Sequence, residues 1–296
     1  MNPTATKQKM GPQRDVAIYK VRASSWNGAV TILNTISRKN TFFLFRGQRD
    51  AGWKLQTTFE RESERHKLGS YYYNTCESNI ITAFQRQSNQ YLKNLPANEE
   101  YIDWLGLIQH YGGPTRLLDF TYSFYIAAFF ALQNAESEAA VWAINANALL
   151  RVDKNIAKQL SEMKIGYREA VRQYVELANN IMKEGQKFKP NERTQSVYLV
   201  EPFFQEQRLA IQQGLFLFPT DIESSFLGNL SQAFRVGKED VFHNERLEEV
   251  EPDYLSTCNK EITLLKIVLS GDMLYEAATH LQQMNISNAT LFPGLD

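Results

Sequence analysis

The run SFYIAAFFAL, residues 123–132, constrains the fold more than any other stretch. It carries no charged side chain and is apolar all round, with alanines that allow close approach, so it predicts a helix buried on most sides. Such a helix needs layers around it. A chain of 296 residues can supply them, as one large domain or two smaller ones. Thr121 and Ser123 both stand where its N-cap is wanted.

Around this run the periodicity alternates between helix and strand. Val30, Ile32, Leu33 and Ile36 predict a short helix after a cap at Asn27; FFLF reads as a strand and RGQRDAGW as the turn behind it. Ile80, Ile81, Phe84, Tyr91 and Leu92 place a helix over 77–93, and EEYIDWLGLIQHYGG predicts another that stops at Gly112, Gly113 and Pro114. AVWAI, VYLV, LFLF and ITLLKIVL read as strands, QEQRLAIQQG as a turn or helix, and DMLYEAATHLQQM as a last helix. The expected fold class is α+β, with mixed small sheets among helices and strands dispersed along the chain. A flexible basic arm is expected over 1–22 and a single domain over 23–296, with the charged helical stretch at about 150–195 inserted as an excursion from the core.

Charge and motifs remove several function classes. Lys and Arg number 32 against 33 Asp and Glu, so no whole-molecule field attracts nucleic acid or anionic lipid; Lys7, Lys9, Arg14, Lys20 and Arg22 leave room for a local basic patch. Cys76 and Cys258 form no CxxC pair, and no apolar leader or membrane span is legible, so a cytoplasmic protein without a membrane partner is expected. His66, His110, His243 and His280 are scattered, and no metal site is expected. GxxxxGK[ST], GxGxxG and GxSxG are all missing from the sequence.

Three clusters carry chemistry. In FLFRGQRD, Arg46 ends a strand beside Gly47 and Gln48; a planar cation next to a glycine suits a pyrophosphate or carboxylate, while an arginine paired with a core carboxylate is the plainer alternative. QHYGGPTRLLDFTYS, 109–123, joins two apolar helices, so His110, Tyr111, Thr115, Arg116, Asp119, Thr121 and Ser123 can converge on a cleft. Equally, Asp119 can pair with Arg116, and the hydroxyls can serve as caps. Gln212 and Gln213 precede Gly214 and a strand; their amides suit nicotinamide or a base edge, or simply a solvated turn.

In order, FRGQRDAGWKLQTTFER, LIQHYGGPTRLLDFTYSFYIAAFFAL, VWAI, QRLAIQQGLF and ISNATLFPGLD resemble the successive blocks of the FRG domain family, named for the residues that stand here as Phe45, Arg46 and Gly47. The blocks run from about 42 to the C-terminus and leave out 150–195. The resemblance implies bacterial or phage proteins with toxin or defence roles, some of them similar to ADP-ribosyltransferases that use NAD. It therefore implies NAD as substrate. Arg46, His110, Asp119 and Gln213 would then be catalytic, and Arg46, Gly47, Gln48, Tyr111, Thr115, Arg116, Thr121, Ser123 and Gln212 would contact the dinucleotide. Arg-directed transferases usually carry a late glutamate where this chain has glutamine, which leaves Asp119 or Glu206 as the carboxylate, or a more nucleophilic acceptor. The implied acceptor is RNA, DNA or protein, with an antitoxin as restraint. A non-catalytic nucleotide sensor and, third, a nuclease using His110 and Asp119 are the other readings.

Overall fold

A computed structural model of the chain describes residues 16–38, 41–184, 194–203, 207–236 and 247–292. The chain begins with β1 (Val16–Ala23), α1 (Trp26–Ser37), β2 (Phe43–Gln48), α2 (Thr58–Arg65), α3 (Tyr73–Ser88), α4 (Tyr101–His110) and β3 (Leu118–Thr121). It continues through α5 (Phe124–Leu132), β4 (Ala139–Asn145), α6 (Ala146–Leu149), α7 (Lys154–Ser161), α8 (Tyr167–Glu184), β5 (Val197–Val200), α9 (Gln207–Ile211) and β6 (Gly214–Pro219). It closes with α10 (Phe226–Ala233), β7 (Glu248–Glu249), α11 (Pro252–Thr257), β8 (Glu261–Leu269), α12 (Leu274–Gln283) and α13 (Asn288–Leu291).

The helices and strands bear out the α+β class, but the described strands form one eight-stranded sheet, ordered β5-β6-β3-β2-β4-β8-β1-β7, rather than several small ones. β1 runs parallel to β8 and β7; the remaining neighbours are antiparallel. The ladder between β2 and β3 consists of the single pair Phe45↔Thr121, whereas β2 pairs with β4 from Phe43 to Gln48 and β3 with β6 from Leu118 to Thr121. The sheet is therefore two half-sheets joined at one point.

Alternation along β2 sends Phe43 and Phe45 to one face and Leu44 to the other. On the first face α1, α5, α11 and α12 bury Phe43, Phe45, Val141, Ala143, Leu265 and Ile267. α5 is the buried helix its sequence requires: Ser123 caps it, with Oγ accepting from the Ile126 amide at 3.3 Å, and Ala127, Ala128 and Ala131 are fully covered. Gly47 explains the closeness of that packing, because a Cβ there would lie 1.9 Å from the Ala127 carbonyl oxygen. The smaller half-sheet presents Phe216 and Phe218 to α3 and α4, and Leu215 and Leu217 to the face covered by α8 and α10.

Other expectations need correction. Residues 16–22, expected as the end of a flexible arm, belong to β1, where Tyr19 and Val21 are buried and Lys20 and Arg22 pair with Glu249 and Glu138. Lys7, Lys9 and Arg14 lie outside the described residues. The helices between 150 and 195 are present, but α8 is no excursion: Tyr174 is buried with its ring 4.9 Å from that of Tyr198 on β5, and Asn179 accepts from the Ile102 amide at 2.9 Å. Among the described residues no helix is long and apolar enough to cross a membrane.

Candidate functional site

Where β2 and β3 part, the face shared by α5 and α4 is left uncovered between those helices. The opening is a cleft of about 410 Å³. β2 supplies Phe45, Arg46 and Gly47; β3 supplies Asp119, Phe120 and Thr121; α4 supplies Gly106, Gln109 and His110. Phe130 of α5, Phe216 of β6 and the α9 end with Arg208 and Gln212 complete the walls.

Arg46 occupies the seam itself. Its Nη1 donates to the Asp119 carbonyl at 2.8 Å, taking the place of a strand partner, and lies 3.5 Å from the Asp119 carboxylate. Its Nε is buried without a hydrogen-bond partner. Burial pulls the Arg46 pKa below the usual arginine value, Asp119 works against that, and the charge of Arg61 adds to the lowering. The group remains a cation at neutral pH, held largely out of water, so its accessible guanidinium edge favours an anion in the cleft.

Asp119 is half-exposed toward the cleft and is oriented from the other side. Gln109 Nε2 donates to its Oδ1 at 2.7 Å, and the Thr115 hydroxyl donates to Gln109 Oε1. An amide whose oxygen is taken by a hydroxyl must turn its nitrogen the other way, so Thr115 determines which end of Gln109 faces Asp119. Thr115 is itself pinned: its amide donates to Thr58 Oγ1 at 2.9 Å, and the Thr58 hydroxyl donates to the Thr115 carbonyl at 3.0 Å.

Of the residues expected from sequence, Arg46, Gly47, His110, Asp119, Thr121 and Gln212 line this cleft. Others do not. Gln48 is buried on the opposite face, donating to the Lys54 carbonyl and accepting from Trp142 Nε1. Thr115 is fully buried and reaches the cleft only through Gln109. Arg116 is an internal ion pair: its Nε donates to both Glu77 oxygens at 2.8 and 3.0 Å, and its guanidinium lies 5.1 Å from the Phe218 ring. Asp119 thus pairs with Arg46 rather than Arg116. Tyr111 faces solvent beside Phe84 and His110, and Ser123 is the α5 cap.

The late glutamines also differ from expectation. Gln213 has φ 47° and lies outside the cleft, its carbonyl accepting from the Tyr122 amide. Gln212 lines the cleft, but its Nε2 donates to the Leu291 carbonyl at 3.0 Å, and its own carbonyl accepts from Thr121 Oγ1 at 2.8 Å. Gly47 lines the cleft and also accommodates the close approach of helix α5. Glu206 lies outside the described residues.

Sequence reasoning passed over Gln109 and Arg208. Both were signalled by helical spacing: Gln109 shares a face with Gly106 and His110, and Arg208 lies one turn before Gln212. Among the described residues no group of three or more His, Cys, Asp or Glu side chains is placed to hold a metal ion.

The family model of the FRG domain matches residues 41–140. That span holds the β2 arginine and the whole 109–123 stretch, and ends before QRLAIQQGLF and ISNATLFPGLD. No curated protein and no solved structure matches the chain.

Proposed function

The chain carries an FRG domain over residues 41–140, and from that premise we propose that it is an NAD-dependent ADP-ribosyltransferase that modifies a macromolecular acceptor, RNA, DNA or protein. The reading rests on one observation: Arg46, His110, Asp119 and Gln212, far apart in the sequence, surround a single cleft. Its volume of about 410 Å³ falls within the range of about 300–1,000 Å³ common for small-molecule sites.

In this reading Arg46 offers its accessible N–H groups to the pyrophosphate, and Phe130 and Phe216 flank the rings. Asp119, steadied by Gln109, faces the nicotinamide ribose. The bond from ribose C1′ to the nicotinamide nitrogen breaks, and its electron pair leaves with nicotinamide as a neutral base. The carboxylate stabilises the oxocarbenium character that develops on the ribose. An acceptor lone pair then bonds C1′, and Asp119 or solvent takes the acceptor's proton. A role as toxin or defence effector in the cytoplasm, restrained by an antitoxin, is supported by the family resemblance.

One observation favours a second reading. The Gln212 amide is committed to Leu291 and Gln213 lies outside the cleft, so among the described residues neither late glutamine side chain is free to support turnover. The cleft would then bind a nucleotide as a sensor. Incubating the protein with NAD labelled in its adenylate and separating protein, RNA and DNA fractions decides between them. Label in one fraction with nicotinamide released, both lost in Arg46→Ala, is the expected result. Bound NAD with no nicotinamide released over hours would replace the transferase by the sensor.

A further inference from the structure

Arg208 is the cleft's other cation, and its surroundings differ from those of Arg46. Arg46 is offset by Asp119. Among the described residues no carboxylate lies within ion-pair distance of Arg208; its guanidinium sits 4.5 Å from the centre of the Phe292 ring. An aromatic face orients a guanidinium without cancelling its charge.

The C-terminal elements hold that ring in place. Phe292 meets Phe130, a cleft-lining residue of α5, edge to face at 5.9 Å. The preceding carbonyl of Leu291 accepts from Gln212, and Asn288 Oδ1 accepts from Gln133 Nε2 at 2.7 Å, so α13 is tied to the ends of both α9 and α5. A capping box at Ser287 and Thr290 fixes the start of α13. Moving α13 would therefore move Arg208.

We propose that Arg208, aimed by Phe292, is a second phosphate-binding group of the cleft, and that α13 thereby sets the affinity for ligand. The inference builds on the dinucleotide reading of the site. A pyrophosphate carries charge on each phosphate, more than Arg46 balances while it is shared with Asp119; Arg208 on the same cleft, with no carboxylate partner among the described residues, supplies the remainder.

Isothermal titration of the full chain with NAD, ADP-ribose and inorganic pyrophosphate, with adenosine as the phosphate-free control, tests this. Arg208→Ala should weaken the phosphate-bearing ligands about tenfold, the loss of one charge-assisted contact, and leave adenosine unchanged. Arg208→Lys should recover part of the loss. Phe292→Leu, which keeps apolar packing and removes the ring face, should weaken the same ligands about threefold, with an unchanged circular dichroism spectrum. Arg208→Ala binding within about twofold of the wild type would remove Arg208 from the site and leave the NAD reading standing. Arg208-dependent binding without nicotinamide release would keep Arg208 and remove the transferase. A wild-type protein that binds none of the phosphate-bearing ligands would end both.

Discussion

Arg46, on β2, and Arg116, just before β3, end in opposite roles. Arg116 is nearly inaccessible, and Glu77 meets it with good geometry, so it is part of the core; truncating one partner of such a pair typically costs about 3–5 kcal/mol because the other charge stays buried and unpaired. Arg46 pairs with a half-exposed carboxylate and lines the cleft, its Nε buried without a hydrogen-bond partner. The sequence did not separate them, because each is an arginine near leucines and a carboxylate, and only burial distinguishes a satisfied ion pair from an open one. A third cation, Lys266, is fully buried on β8, donating to the Ala51 carbonyl 4.6 Å above the Trp142 ring, and burial brings its pKa down to about 8. Unfolded lysine titrates near about 10.4. Between those values the unfolded chain binds the extra proton, so Lys266 makes stability rise with pH across that window and contributes no slope below it. Thermal melts from pH 7.5 to 10 should show this rise flattened in Lys266→Met; an identical slope in both proteins would contradict the lowered pKa.

Elements whose signal is local were legible; those made by distant partners were not. FYIAAFFAL needed no other part of the chain to declare itself a buried helix, and the glycines after Tyr111 ended α4 where expected. β1 was misread because Lys20 and Arg22 made residues 16–22 look like a basic arm, although Ala17, Tyr19, Val21 and Ala23 alternate as a half-buried strand does. Its partner β8 is more than 200 residues away, and the acidic residues that pair with its charges lie just before β4 and in β7. β3 is short, and its polar Asp119 and Thr121 hid the alternation of Leu118 and Phe120. The contact between β2 and α5 also gives Gly47 a reason that a family motif alone does not: the helix backbone occupies the space of a side chain. Gly47→Ala should therefore cost about 1–3 kcal/mol in urea denaturation and weaken ligand binding, since both elements wall the cleft. Wild-type stability in that variant would show that α5 shifts at no cost.

At the scale of the whole molecule, the cleft is a consequence of how the sheet is assembled. One half, β5-β6-β3, is sandwiched between α8 with α10 and α3 with α4; the other, β2-β4-β8-β1-β7, is covered by α5 and α1 on one face. The halves share the pair Phe45↔Thr121 and then diverge, so polar groups of both strands that would otherwise be spent on a ladder face a common space. The convergence of Arg46, Asp119, His110 and Gln212 was implied by the family resemblance and not by their residue types alone. The seam was not, because strand order is a property of long-range pairing that no local pattern encodes. A crystal structure of the protein soaked with NAD addresses the account directly. It should place the pyrophosphate against Arg46 and the nicotinamide ribose beside Asp119, in the gap between β2 and β3. Dinucleotide density elsewhere, such as in the cavity beside Arg151 and Lys260, with the seam filled only by water, would contradict it.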